Sequence, residues 1–120
     1  MTDCEHACTV WSILACAARE RRLYTYGELK NIIGCSRIER GMSYILEPIT
    51  EYCKRQPDMP KLTVLVVNKR TGLPGDGLGI KTCEEFIAEM WKVYNFKWLE
   101  RVPPTLLELE DAVTMARRER

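Results

Sequence analysis

Thr25-Tyr26-Gly27-Glu28-Leu29, with Gly34 beyond it, is the stretch on which the fold of this chain turns. Thr25 and Glu28 stand at capping-box spacing, where a hydroxyl accepts from the third amide and the carboxylate reaches back to the cap amide, so a helix starts here. Gly34 supplies a left-handed stop for it. Ser36 and Glu39 repeat the capping box at once. The helix they open is expected to continue, bent at Gly41 and Pro48, through Ile45, Leu46, Ile49, Tyr52 and Cys53 to about Arg55. A short helix ended by glycine and followed directly by another has the layout of a helix-turn-helix.

Working outward, the apolar run Leu62-Thr63-Val64-Leu65-Val66-Val67 reads as a strand covered on both faces. Asn68-Lys69-Arg70-Thr71-Gly72 and Leu73-Pro74-Gly75-Asp76-Gly77 close it, because those residues cannot continue a strand and must turn. A helix-turn-helix with a hairpin is a winged helix, a fold that most often handles nucleic acid. The expected class is therefore α+β, helix-dominated and winged-helix-like, with one small sheet. Upstream, Thr2 or Asp3 caps a helix to about Arg21, with Ala7, Val10, Trp11, Leu14 and Ala18 on its i, i+3, i+4, i+7 stripe. Leu23 to Thr25 is an extended link, and the helix from Tyr26 to Ile33 should bury Leu29, Ile32 and Ile33. Downstream, Thr82/Glu85 opens a helix with Phe86, Ile87, Met90, Trp91 and Tyr94 inward, and Asn95 to Leu99 is an aromatic linker. Thr105/Glu108, after Pro103-Pro104, opens a last helix through Leu106, Leu107, Leu109 and Val113. The expected core is Trp11, Leu14, Leu29, Ile33, Leu46, Ile49, Val64, Val66, Phe86 and Met90. One domain over residues 1–120 is expected, a winged-helix-like core at about 3–80 and a helical extension at about 81–120.

Composition is ordinary for a globular chain: 120 residues, 46% hydrophobic and 29% charged. A chain of this length buries roughly two thirds of the surface its unfolded form exposes. No apolar run approaches the ~20 residues of a membrane span. Met1 to His6 is acidic and polar rather than basic then apolar, so it is not read as a secretory signal, and the expected location is cytoplasmic. A net charge of +1 argues weakly for nucleic acid, although a balanced sum can hide a basic patch. Basic clusters stand at Arg19/Arg21/Arg22, Lys54/Arg55, Lys69/Arg70 and Arg117/Arg118, and the first and last also complement helix C-termini. The six cysteines, Cys4, Cys8, Cys16, Cys35, Cys53 and Cys83, are expected to be free thiols in such a compartment. None forms a Cys-x-x-Cys pair, and His6 is turned about 200 degrees from Cys4 at helical pitch, so neither metal nor cofactor is expected. Cys16 and Cys53 read as small core residues.

From Trp11 to Val67 the chain resembles the C-terminal DNA-binding domain of the O6-alkylguanine-DNA alkyltransferases and the alkyltransferase-like proteins. Val10-Trp11, the Thr25 to Leu29 motif, and Gly34 followed after five intervening residues by Arg40 carry that resemblance. It implies that Tyr26 acts on a target-nucleotide phosphate and that Arg40 fills the space left by a flipped base. The family's Pro-Cys-His-Arg is absent: Leu65-Val66-Val67-Asn68-Lys69 stands there, with neither acceptor cysteine nor histidine. Alkyl transfer needs an activated thiolate and is not expected. Over nearly its whole length the chain is also similar to a group of small bacterial and phage proteins, a likeness that implies no function. Their signature falls on Asn68, Lys69, Thr71, Gly72, Pro74, Gly75 and Gly77.

The glycines from Gly72 to Gly79 could cradle phosphate through backbone N–H groups, or serve a tight turn; no Gly-Lys-Ser/Thr follows, which excludes a Walker loop. Asp76, Glu84 and Glu85 do not form a nuclease constellation, and an enzyme is not expected. Two function classes remain. One is a non-catalytic DNA-binding module with its recognition helix at Ser36 to Leu46, a wing at Asn68 to Gly77, and contacts from Tyr26, Arg37, Arg40, Lys69 and Arg70. The other is a phage or prophage interaction protein that inhibits a host protein such as a defence nuclease, of anti-CRISPR or anti-restriction type. A basic face at Arg37, Arg40, Lys54, Lys69 and Arg70 would favour DNA. A mixed face with Tyr44 and Trp98 exposed would favour a protein partner.

Overall fold

Threonine caps set the starts of four of the five described α-helices. The computed structural model describes residues 2–34 and 41–120, the side chain of Asp76 excepted. Helix α1 spans Asp3–Glu20; the Thr2 hydroxyl accepts from the Glu5 amide at 3.1 Å and the Glu5 carboxylate accepts from the Thr2 amide at 3.0 Å. The same reciprocal box at Thr25 and Glu28 opens α2, Tyr26–Ile32. Helix α3 spans Met42–Lys54 and α4 spans Cys83–Asn95, where the Thr82 hydroxyl accepts from the Glu85 amide at 3.1 Å. A third full box, Thr105 and Glu108, opens α5, Leu106–Arg118. Caps of this kind contribute ~1 kcal/mol each. The Ser36/Glu39 pair lies outside the described residues. Gly41 does not bend a continuing helix: at φ +84° it is the N-cap of α3, a conformation that favours glycine and lies outside the helical region.

The sheet is small and parallel. Strand β1, Tyr24–Thr25, pairs with β2, Val66–Val67, with Tyr24 opposite Val66 and Thr25 opposite Val67. The run expected to be one strand is mostly a 3-10 turn, Leu62–Leu65, and only its last two residues are extended. The cause is the partner's length: β1 ends after two residues because Thr25 must turn to cap α2. The turn is instead enclosed by α1, α3 and α4, and the buried Thr63 hydroxyl meets that of Thr50 at 2.6 Å.

All ten expected core residues join one hydrophobic cluster, eight of them buried and Ile33 and Met90 partly so. Leu109 of α5 belongs to the same cluster. Several expected inward positions face out. On α4 the buried line runs through Phe86 and Val93, with Met90 partly buried between them, which turns Ile87 and Trp91 outward. On α5, Leu109, Ala112, Val113 and Ala116 are buried while Leu106 and Leu107 are exposed. Ile32 is exposed, while the main packing of α2 among the described residues is on the two strands. Cys16 is exposed as well, on the side of α1 away from Leu14, Ala15 and Ala18.

Candidate nucleic-acid interface and adjoining cleft

Parallel pairing of Thr25 with Val67 makes Tyr26 and Asn68 leave the sheet side by side. The loop after β2 is not a two-stranded hairpin. One antiparallel bridge joins Val67 to Pro74, the Asn68 amide donates to the Leu73 carbonyl at 2.8 Å, and the Gly72 amide donates to the Asn68 carbonyl at 2.7 Å. Side chains complete the turn: Asn68 Oδ1 accepts from the Arg70 amide at 2.8 Å and Thr71 Oγ1 accepts from the Leu73 amide at 3.2 Å. Gly72 holds φ +72°, so the glycine is required there by conformation. Asn68, Thr71 and Gly77 are exposed, Pro74 is buried, and Lys69 and Arg70 are exposed near the loop's tip. The amides of Arg70, Gly72 and Leu73 are engaged within the turn, which favours the tight-turn reading of these glycines over a phosphate cradle.

Gly75 is small for a different reason. A Cβ there would meet the hydroxyl of Tyr26, so the loop's glycine makes room for the motif's tyrosine. Two signals far apart in the chain thus meet at one contact. The Glu28 carboxyl nearby is held below its ordinary value, chiefly by the Thr25 amide and hydroxyl, with smaller contributions from Arg22 and Lys69. Arg37 and Arg40 lie outside the described residues.

Beside Tyr26 opens a cleft of about 610 Å³ that includes Gly75, Tyr44, Glu47, Glu51 and the Thr50/Thr63 pair. Sequence reasoning missed it, since its far wall comes from α5. Glu47 is bridged by Arg117 at 3.5 Å and Arg120 at 3.2 Å, and Glu51 by Lys54 at 3.3 Å and Arg55 at 3.6 Å. Arg55 also forks onto Glu119 at 2.8 and 3.2 Å, holding the Glu119 carboxyl below its ordinary range. Lys54 and Lys61 donate to the carbonyls of Gly77 and Leu78, at 3.4 and 3.3 Å, anchoring the end of the loop. The available signal was Glu47, Glu51 and Arg55 at four-residue spacing on one helix face.

The cleft face is thus mixed in charge. Of the two aromatic indicators, Tyr44 is 42% exposed, whereas Trp98 is 3% exposed with its indole N–H donating to the Val93 carbonyl at 2.8 Å. Cys4, Cys8, Cys16, Cys53 and Cys83 are free thiols. Burial pushes the Cys53 thiol up to about 12, and desolvation, with neighbouring carboxylates, raises Cys4 and Cys8. Among the described residues no group of three His, Cys, Asp or Glu could hold a metal ion, and no described helix is long and apolar enough to cross a membrane. No protein-family model, curated protein or solved structure matches the chain.

Proposed function

We propose that this protein binds DNA without altering it covalently, as a winged-helix-like module of the alkyltransferase-like type. In this reading the loop from Asn68 to Gly77 stands in place of a two-stranded wing. The observation that carries it is the contact of Tyr26 with Gly75, which joins the start of α2 to the loop that carries Lys69 and Arg70. The strand where the resembling family keeps its acceptor cysteine is here Val66–Val67, aliphatic and buried. The phosphate-facing role belongs to Tyr26 and Lys69, and Arg40 is the candidate groove contact.

A salt-dependent titration with duplex and single-stranded DNA tests the reading. Lys69→Ala should weaken binding uniformly across sequences and lower the salt slope by about one. Arg40→Ala should weaken duplex binding as well. Absence of any salt-dependent retention at low ionic strength would overturn the proposal. One observation favours a second reading: the exposed Tyr44 stands over a cleft whose Glu47 and Glu51 are already neutralised internally, a surface suited to a protein partner. In that event the protein acts as an inhibitor of a host protein, and binding should be insensitive to Lys69→Ala.

A further inference from the structure

Two sets of cations contrast. Lys54, Arg55, Arg117 and Arg120 are tied to carboxylates between α3 and α5. Lys92, in the last turn of α4, is paired with Glu89 at 3.9 Å, whereas among the described residues Arg19, Arg21 and Arg22 at the end of α1, and Lys97 and Arg101 beyond α4, form no ion pair with a carboxylate. Three of these guanidiniums lie over rings instead, Arg21 on Trp91 at 5.3 Å, Arg22 on Tyr24 at 4.5 Å and Arg101 on Phe96 at 4.8 Å. A groove of about 440 Å³ runs between these helix ends, lined by Arg19, Arg21 and Lys97 with Tyr94 and Phe96, and Glu100 is its one carboxylate among the described residues. The two helix ends add about one further negative unit between them. Three cations outweigh both, so the groove is positive while the chain as a whole is nearly neutral.

Trp91 does not line the groove itself but touches two residues that do, with Arg21 over its indole at 5.3 Å and Tyr94 edge-on at 5.8 Å, and it is 44% exposed. Solvent reaches an aromatic side chain whose neighbour is a planar cation. That pairing suits an unpaired base on the indole and a phosphate on the guanidinium fork. An acidic peptide would use the charges and leave the ring idle. We infer that the α1/α4 end is a second binding groove, one that takes single-stranded nucleic acid by stacking a base on Trp91 and holding the backbone on Arg19, Arg21 and Lys97. The inference stands apart from the Tyr26 face, since none of these groups lies on it.

The test uses the full chain and an oligo-dT probe on the order of ten nucleotides long. Trp11 and Trp98 are buried but Trp98 lines the groove, so the part of the quenching that is lost in Trp91→Phe is what reports on Trp91. Salt-sensitive quenching by oligo-dT is the expected result. Trp91→Ala, followed by anisotropy of labelled probe, should weaken binding about tenfold, as for the loss of one stacked base. Arg19→Gln with Lys97→Gln, both exposed, should weaken it at least as much and leave the Lys69-dependent duplex binding in place. Absence of quenching, full affinity in the Gln pair, or equal quenching by poly-glutamate would each overturn the inference. Lys69→Ala separates the two sites: it should leave oligo-dT quenching of Trp91 intact whether or not duplex binding exists.

Discussion

Gly75→Ala tests the contact on which the candidate interface depends. Its backbone is not in the left-handed region, so alanine is conformationally allowed and, through the unfolded chain alone, would stabilise by about 0.4–1 kcal/mol. The new methyl, however, falls on the Tyr26 hydroxyl. Overpacking of that kind costs about 1–3 kcal/mol, toward the low end here because Tyr26 is only partly buried and its ring has the cleft to move into. Tyr26→Phe removes the offending oxygen, and the ring carbon behind it, 3.6 Å from the added Cβ, is at ordinary contact distance. In the Tyr26→Phe background Gly75→Ala should therefore be neutral or stabilising. The unfolded-state gain is common to both backgrounds and cancels in the cycle, so the coupling should be the overlap itself, ~1 kcal/mol or more. Urea unfolding of the wild type, both single variants and the double variant measures it. Additivity within about 0.5 kcal/mol would refute the argument.

Other expectations follow from burial and capping. Leu14→Ala should cost about 2–5 kcal/mol in chemical denaturation, whereas Leu107→Ala, on the exposed side of α5, should stay within about 0.5 kcal/mol. The carboxyls of Glu5 and Glu28 are lowered from 4.5, first by the backbone amides they cap. A carboxyl depressed in the folded state contributes stability that is fully present above its unfolded value and is lost as pH falls through the folded one. Melting temperature should accordingly drop with acid below about pH 4.5, less steeply in Glu28→Gln, and an unchanged pH profile in that variant would contradict the assignment. A thiol reagent should label Cys16 and Cys83 quickly and Cys53 only on unfolding, as mass spectrometry of timed reactions would show.

The starts of α1, α2, α4 and α5 were legible because threonine capping is a local interaction: Thr25 and Glu28 need nothing beyond three residues of chain to meet, whereas the start of α3 at Gly41 has no side-chain cap to announce it. The α1 stripe was legible for a similar reason, its period being uninterrupted from Ala7 to Ala18. Leu62 to Leu65 was not, since an apolar run buried on every side carries no period, and its backbone is decided by a strand partner two residues long. On α4 both Phe86/Val93 and Ile87/Trp91 offer apolar lines, and only the packing against the Leu62–Leu65 turn and α1 selects between them. The site divides in the same way. Tyr26 and Gly75 are each visible as motif residues, but the reason they belong together is the pairing of Thr25 with Val67, a relation between distant segments. Charge shows the limit most clearly. A sum of +1 argues against a polyanion partner only if the cations are equivalent, and they are not. Glu47, Glu51 and Glu119 bind the cations of α3 and α5 to one another, which removes both signs from the outer field together. The cations outside those pairs are spread unevenly, with Arg19, Arg21 and Lys97 around one groove beside Glu100 and with Lys69 and Arg70 beyond β2, so a nearly neutral chain can carry locally positive patches.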